Sequence, residues 1–200
     1  PSADTAWDTL QTFMTRAYEI LIKTIYVKGH VFQYSSRYQH SYSAIENVMC
    51  VWHNRSDWDP ESAQILEATE ENYQTILEEK EQALKEAETL AAAFDFASLG
   101  LPEAISEELN QLLLLYPIYA EGFCWMAKVF FGMRLYQRIR RRDLLERVLR
   151  DNDGLKDFAG RLGAFLRQRD YPFYVRWIME PDELKRLHAD ICRLAEEAAV

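Results

Sequence analysis

From Glu61 to Phe96 the chain contains neither glycine nor proline, and that uninterrupted run restricts its fold more than any other feature. Leu66, Tyr73, Ala87 and Phe94 recur at heptad spacing within it, as do Thr69, Ile76, Ala83 and Leu90. The spacing predicts one long acidic helix over about residues 60–96, with a narrow, coiled-coil-like apolar stripe. Lys80 stands where the first series requires an apolar side chain. Unbroken, such a helix would measure roughly 55 Å, against a radius of gyration of about 16 or 17 Å for a compact domain of this size. It must therefore project as an arm or bend near Lys80. In either case the stripe packs antiparallel on a neighbour or pairs with another chain. Leu66, Tyr73, Ile76 and Leu90 are its candidate interaction residues.

Helical signals continue on both sides. Trp7, Leu10, Met14, Ala17, Leu21 and Ile25 recur every three or four residues, marking a first helix from Asp4 to Lys28 that Gly29 stops. A second helix falls within residues 31–53. Asp59-Pro60-Glu61 has the order N-cap, N1 proline, early acid that opens the long helix. Pro102 restarts the chain at a new N1, and Pro117 kinks or divides the run that continues to about Arg142. Asp143 caps a short helix to about Arg150, which Asp151-Asn152-Asp153-Gly154 ends as a turn. Leu155, Phe158, Leu162, Phe165 and Leu166 mark another helix. Pro181-Asp182-Glu183 opens the last, with Leu184, Leu187, Ile191 and Leu194 inward. No stretch alternates with period two. The expectation is all-α: seven or eight helices in an irregular bundle, one domain over residues 1–200 with a weak subdivision near 97–102.

A formal net charge of −9 argues against a nucleic-acid binder. The most apolar stretch, Leu112 to Met133, is interrupted by Glu121 and Lys128, so no membrane span is expected. Cys50, Cys124 and Cys192 are odd in number and widely spaced, which fits reduced thiols and a cytoplasmic setting. The chain opens Pro1-Ser2-Ala3 without a basic-then-apolar leader, as a processed chain or a piece of a longer protein would.

Four groups of residues are candidate sites. On a helix through residues 40–53, Glu46, Cys50 and His53 share a face opposite the apolar one. Cys-x-x-His without a matching partner pair is weak metal evidence, so this face reads as solvated. Glu121 sits in a helix that is apolar almost all round, where a carboxylate must find a partner, such as Arg16 or Arg37, or take up a proton. If Glu121 is an acid in an interhelical pocket, Tyr119, Trp125 and Tyr136 are its lining and Arg134 an anion partner. Trp58, between Asp57 and Asp59, staples the long helix or offers a sugar-binding face. Residues 134–150 carry seven arginines against Asp143 and Glu146, and residues 60–96 carry ten acids against Lys80 and Lys85. Arg138, Arg141 and Arg142 therefore face the acidic helix within the molecule, or an acidic partner.

No motif requires a cofactor. The reading that fits these features is a non-catalytic helical interaction or accessory module. It would pack against a partner protein, a neighbouring domain of its parent chain, or a second copy through the long helix. The alternative is a helical ligand-binding or enzymatic domain built around Glu121, for example an appendage of a carbohydrate-active enzyme.

Overall fold

A computed structural model describes residues 3–28, 36–53 and 60–199; the side chains of residues 3, 48–53, 62 and 199 lie outside the description. The described chain is all-α. Its helices are α1 (Ala3–Ile25), α2 (Tyr42–His53), α3 (Pro60–Ile65), α4 (Glu70–Ala93), α5 (Glu103–Ile139), α6 (Arg142–Leu166), α7 (Phe173–Ile178) and α8 (Pro181–Ala199), with a 3-10 turn at Phe96–Leu99. Among the described residues there is no strand.

The glycine- and proline-free run is not one helix. It breaks at Leu66–Thr69, ahead of Lys80 rather than at it. Thr69, expected as part of the stripe, is instead the N-cap of α4: its side chain accepts from Asn72 N at 3.1 Å. The Asn72 amide donates to the carbonyls of Gln64 (2.8 Å) and Glu67 (3.0 Å), satisfying backbone acceptors that α3 leaves open. Glu70 and Glu71 fill the first turn of α4, where the helix dipole favours negative charge. Local capping thus ends one helix and starts the next without a breaker residue.

The longest helix is α5, at 37 residues. It runs through Pro117, correcting the expected division there, and ends where Arg140 turns left-handed at φ 53°. Pro102 is its N-cap rather than N1. The expected turn at 151–154 is also corrected. These residues lie inside α6, and Asp143 is in that helix's first turn, not its cap. Gly154 lies against the Trp125 ring, where a Cβ would come within 2.5 Å of an indole carbon.

Helices adjacent in sequence lie antiparallel. Glu67 meets Arg138 at 2.7 Å, Glu81 meets Lys128 at 2.9 Å, and Phe96 N donates to Asn110 Oδ1 at 3.2 Å, so α4 and α5 run in opposite directions. Lys23–Glu86 (2.8 Å) and Lys28 N–Glu79 (3.0 Å) set α1 antiparallel to α4 in the same way. Arg161–Glu121 (2.7 Å) does so for α5 and α6, and Asn152 Nδ2–His188 O (3.0 Å) joins α6 to α8. The layers follow the order α1, α4, α5, α6, α8, with α5 central.

The core is this seam system. Phe123, Met126, Val129, Phe130 and Met133 of α5 are fully buried, as are Leu155 of α6 and Leu184, Leu187 and Ile191 of α8. The Tyr42 ring stands 4.9 Å from that of Phe130, and its N–H donates to Asp190 Oδ2 at 2.8 Å, anchoring the start of α2 on α8. Residue α5 Gly122 admits Tyr38, whose ring occupies the space a Cβ would need; a Cβ would stand 2.3 Å from the ring. By length and composition α5 could cross a membrane; 56% of its most apolar window is buried by the other helices.

Lys80 is 1% exposed. Its ammonium donates to the carbonyls of Lys23 (2.5 Å) and Tyr26, closing the C-terminal end of α1. Glu79 Oε2 lies 3.8 Å away. Burial, the largest influence, pushes the amine down to about 8 despite that carboxylate. The lapse in the heptad stripe is therefore a helix cap supplied from another helix.

Candidate interaction surface

The residues expected to carry association are mostly interior. Leu66, Tyr73, Ile76 and Leu90 are all buried, facing α1 and α5 within the same molecule. Arg138 and Arg141 pair with Glu67 (2.7 Å) and Glu70 (2.9 Å), so the basic and acidic segments meet intramolecularly. Arg141 also holds Asp143 at 2.6 Å, and Arg142 holds Glu146 at 3.0 Å within α6.

Glu121 is partly exposed. Its Oε1 accepts from Arg161 at 2.7 Å and from Trp125 Nε1 at 3.2 Å, so its partner is Arg161 rather than Arg16 or Arg37. Arg16 lies over the Phe94 ring, and Arg37 pairs with Glu183 at 2.6 Å. Trp125 is further held by Lys128 over its face, 5.0 Å from the centroid. Tyr136 is buried under Arg140, and Arg134 is half-buried with its Nε unpartnered among the described residues. Of the expected lining, Trp125 reaches Glu121, whereas no hydrogen bond or ion pair joins Tyr119, Tyr136 or Arg134 to it among the described residues. Glu46 is half-buried on α2; the side chains of Cys50 and His53, and all of Trp58, lie outside the described residues. Among the described residues no three His, Cys, Asp or Glu side chains form a metal-sized cluster.

What the molecule does present is an apolar groove between α1, α5 and α7. Its walls are Phe13, Met14, Ala17, Leu21 and Ile25 of α1, Leu112, Leu115, Tyr116 and Tyr119 of α5, Tyr174, Val175 and Ile178 of α7, and Met179, which caps α7. Its volume is about 360 Å³, at the small end of natural binding sites. Because α1 and α5 both lie antiparallel to α4, they are parallel to one another and form a trough, which α7 closes on a third side.

Two phenols of the walls are engaged. Tyr116 donates to the carbonyl of Ala17, tying α5 to α1, and Tyr119 donates to the carbonyl of Ser36 at 2.7 Å. Burial raises both phenols well above their ordinary range, so they stay protonated and hydrogen-bonded. None of the described residues that line the groove is charged, so it favours apolar surface.

Met14, Leu112 and Tyr174 of the lining are themselves exposed, and further apolar side chains are exposed on the same helices. Of ten large apolar side chains exposed among the described residues, nine lie on α1, the first half of α5, or α7; Leu149 is the tenth. Phe173 (76%), Trp7 (67%) and Tyr18 (64%) are the most open, followed by Met14 (62%). Beside Leu112, Leu115, Tyr174 and Val175 the trough passes into a second depression of about 230 Å³ flanked by Glu107 and Glu108.

The α1 periodicity, which marked a helix, was the sequence signal for this surface. Trp7 and Met14 of that series are exposed and Ile25 is buried, the buried face of α1 being Ala6, Phe13, Ile20, Thr24 and Ile25. No protein-family model, curated protein or solved structure matches the chain.

Proposed function

We propose that this chain is a non-catalytic helical docking module whose α1–α5–α7 groove receives an amphipathic helix of a partner protein. The observation that carries the reading is an apolar trough whose lining includes the exposed side chains Met14, Leu112 and Tyr174, one from each of its three helices. Contiguous exposed apolar surface of this kind costs solubility and marks interaction sites. Phe13 to Ile25 spans roughly 18 Å of helix, enough to meet about three turns of a bound helix. The groove's volume suits the anchoring side chains of such a helix rather than its backbone, as in helix-in-groove recognition. Aromatic walls favour a few strong anchor contacts. Glu107 and Glu108 at the open end, on a chain of net charge −9, favour lysine or arginine beside the partner's apolar stripe.

The test is fluorescence anisotropy with two labelled amphipathic peptides of equal length, one leucine/lysine and one leucine/glutamate. The reading expects saturable binding of the lysine peptide, weakened by salt, and loss of that binding in Met14→Glu or Tyr174→Glu. Both positions are exposed enough for these variants to fold. Equal binding of both peptides, or binding that survives both substitutions, overturns it. So does native mass spectrometry showing a dimer that Met14→Glu dissolves, because the occupant is then a second copy.

A further inference from the structure

We infer that Cys192 and His188 of α8 form an open two-ligand site for a thiophilic divalent cation such as Zn²⁺ or Cd²⁺. The residues are one helical turn apart and both half-exposed, so their side chains project to the same side. Cys192 Sγ lies 3.9 Å from His188 Nε2. Tetrahedral zinc, with metal–sulfur and metal–nitrogen bonds of about 2.3 and 2.0–2.1 Å, holds such ligands roughly 3.6 Å apart. A shift of a few tenths of an ångström admits the ion.

The outer contacts of both ligands are already in place. His188 Nδ1 lies 3.0 Å from the carbonyl of Asn152. A carbonyl can only accept, so Nδ1 carries the proton and Nε2 offers its lone pair towards sulfur. Asn152, 1% exposed, donates from Nδ2 to His188 O at 3.0 Å and to Cys192 Sγ at 3.3 Å. A donor aimed at sulfur favours the thiolate, the form that binds metal. Oriented imidazole and hydrogen-bonded sulfur are the supports that metal ligands require.

Asp153 follows Asn152 on α6, and Glu196 stands one helical turn beyond Cys192 on α8, so carboxylates flank the pair and attract a cation. Binding replaces the thiol proton: M²⁺, the thiol and neutral imidazole give the metal thiolate–imidazole complex and one released H⁺. No third His, Cys, Asp or Glu completes a cluster among the described residues. The remaining coordination positions are therefore open to water or an outside ligand.

The experiment is titration of the reduced full-length protein with Cd²⁺ alone, following the thiolate-to-metal charge-transfer absorbance and proton release. A saturable one-to-one band with one proton released is expected. Cys192→Ser should abolish it, and His188→Ala should weaken binding by at least about tenfold, each with an unchanged far-ultraviolet circular dichroism spectrum. Cys50→Ser and Cys124→Ser should retain the band. The inference is overturned by no band in the wild-type protein, by one that survives Cys192→Ser, or by one lost in Cys50→Ser. His188→Ala leaves the thiol in place, so undiminished affinity in that variant separately overturns the pairing. The outcome is independent of the groove, which lies on other helices.

Discussion

The α4–α5 seam and the α1–α5–α7 trough are both lined by apolar side chains at helical spacing, yet one is closed and the other open. In the seam, Ile76 and Leu77 pack in one cluster with Phe123 to Phe130, and Leu90 in a second with Leu113 and Ala120. Its charges are placed at the margins, as Glu67–Arg138 and Glu81–Lys128, or used to cap a helix, as with Lys80. In the trough, α1 and α5 are held to a common neighbour and to each other by Tyr116, but among the described residues no helix lies between them. An apolar stripe therefore specifies that a face seeks cover, while the connections decide whether the same chain supplies it.

The largest expected effect breaks the seam. Ile76→Asp places a carboxylate where the side chain is 2% exposed, and should cost more than about 4 kcal/mol. Urea denaturation followed by tryptophan fluorescence should find it unfolded or nearly so. A folded variant that had lost only association would erase the distinction between the regions. Gly122→Ala drives a Cβ into the buried Tyr38 ring and should lose about 3 kcal/mol, offset in small part by helix propensity.

Lys80→Met should be milder, about 1–3 kcal/mol at neutral pH, because it leaves two carbonyls of α1 without their donor. Its sharper signature is in pH dependence. With the folded amine near 8 and the unfolded one near 10.5, the unfolded chain holds the extra proton between those values. Stability contributed by this group should rise with pH across that window, and the burial cost is full below about pH 8. The buried phenols act in the opposite sense above about pH 10, since Tyr73 is pushed up to about 12 and the unfolded chain ionises first. Cys124, pushed up to about 11 by burial, opposes the rise above about pH 9. Chemical denaturation at pH 7, 8 and 9 should therefore show a rise in the wild type that Lys80→Met flattens. The smallest effect belongs to the trough: Met14→Glu should change stability by no more than about 0.5 kcal/mol while abolishing peptide capture. A loss comparable to that of Gly122→Ala would mean that the trough is as closed as the seam.

The all-α class was legible because breakers are few and no segment alternates with period two. Starts at Pro60 and Pro181 and the inward face of α8 were legible from proline placement and spacing. The failures have local causes. Thr69 fits a heptad position and also caps a helix, and only the following Glu70-Glu71 favours the second role. Asn152 and Gly154 have turn chemistry, but here one bonds across to α8 and the other makes room for Trp125. The trough's residues were visible as a stripe; their exposure depends on where α7 and α5 sit, which no local pattern encodes. The Cys192–His188 spacing was present in the sequence, whereas its support comes from Asn152, distant in the chain.

The arrangement of layers in chain order has a consequence for how the molecule assembles. From α4 onwards each long helix meets the next long one in sequence, so the α4–α5, α5–α6 and α6–α8 seams close over short connections and can form successively, including during synthesis; only the α1–α4 seam spans a longer connection. The exception is the segment around Tyr38 and Tyr42, whose ties to Ile178 and Asp190 join opposite ends of the described chain. Those ties should form after the rate-limiting step. Asp190→Ala should then accelerate unfolding while leaving the refolding rate nearly untouched, with the N-terminal segment acting as the latch that sets how long the folded state survives.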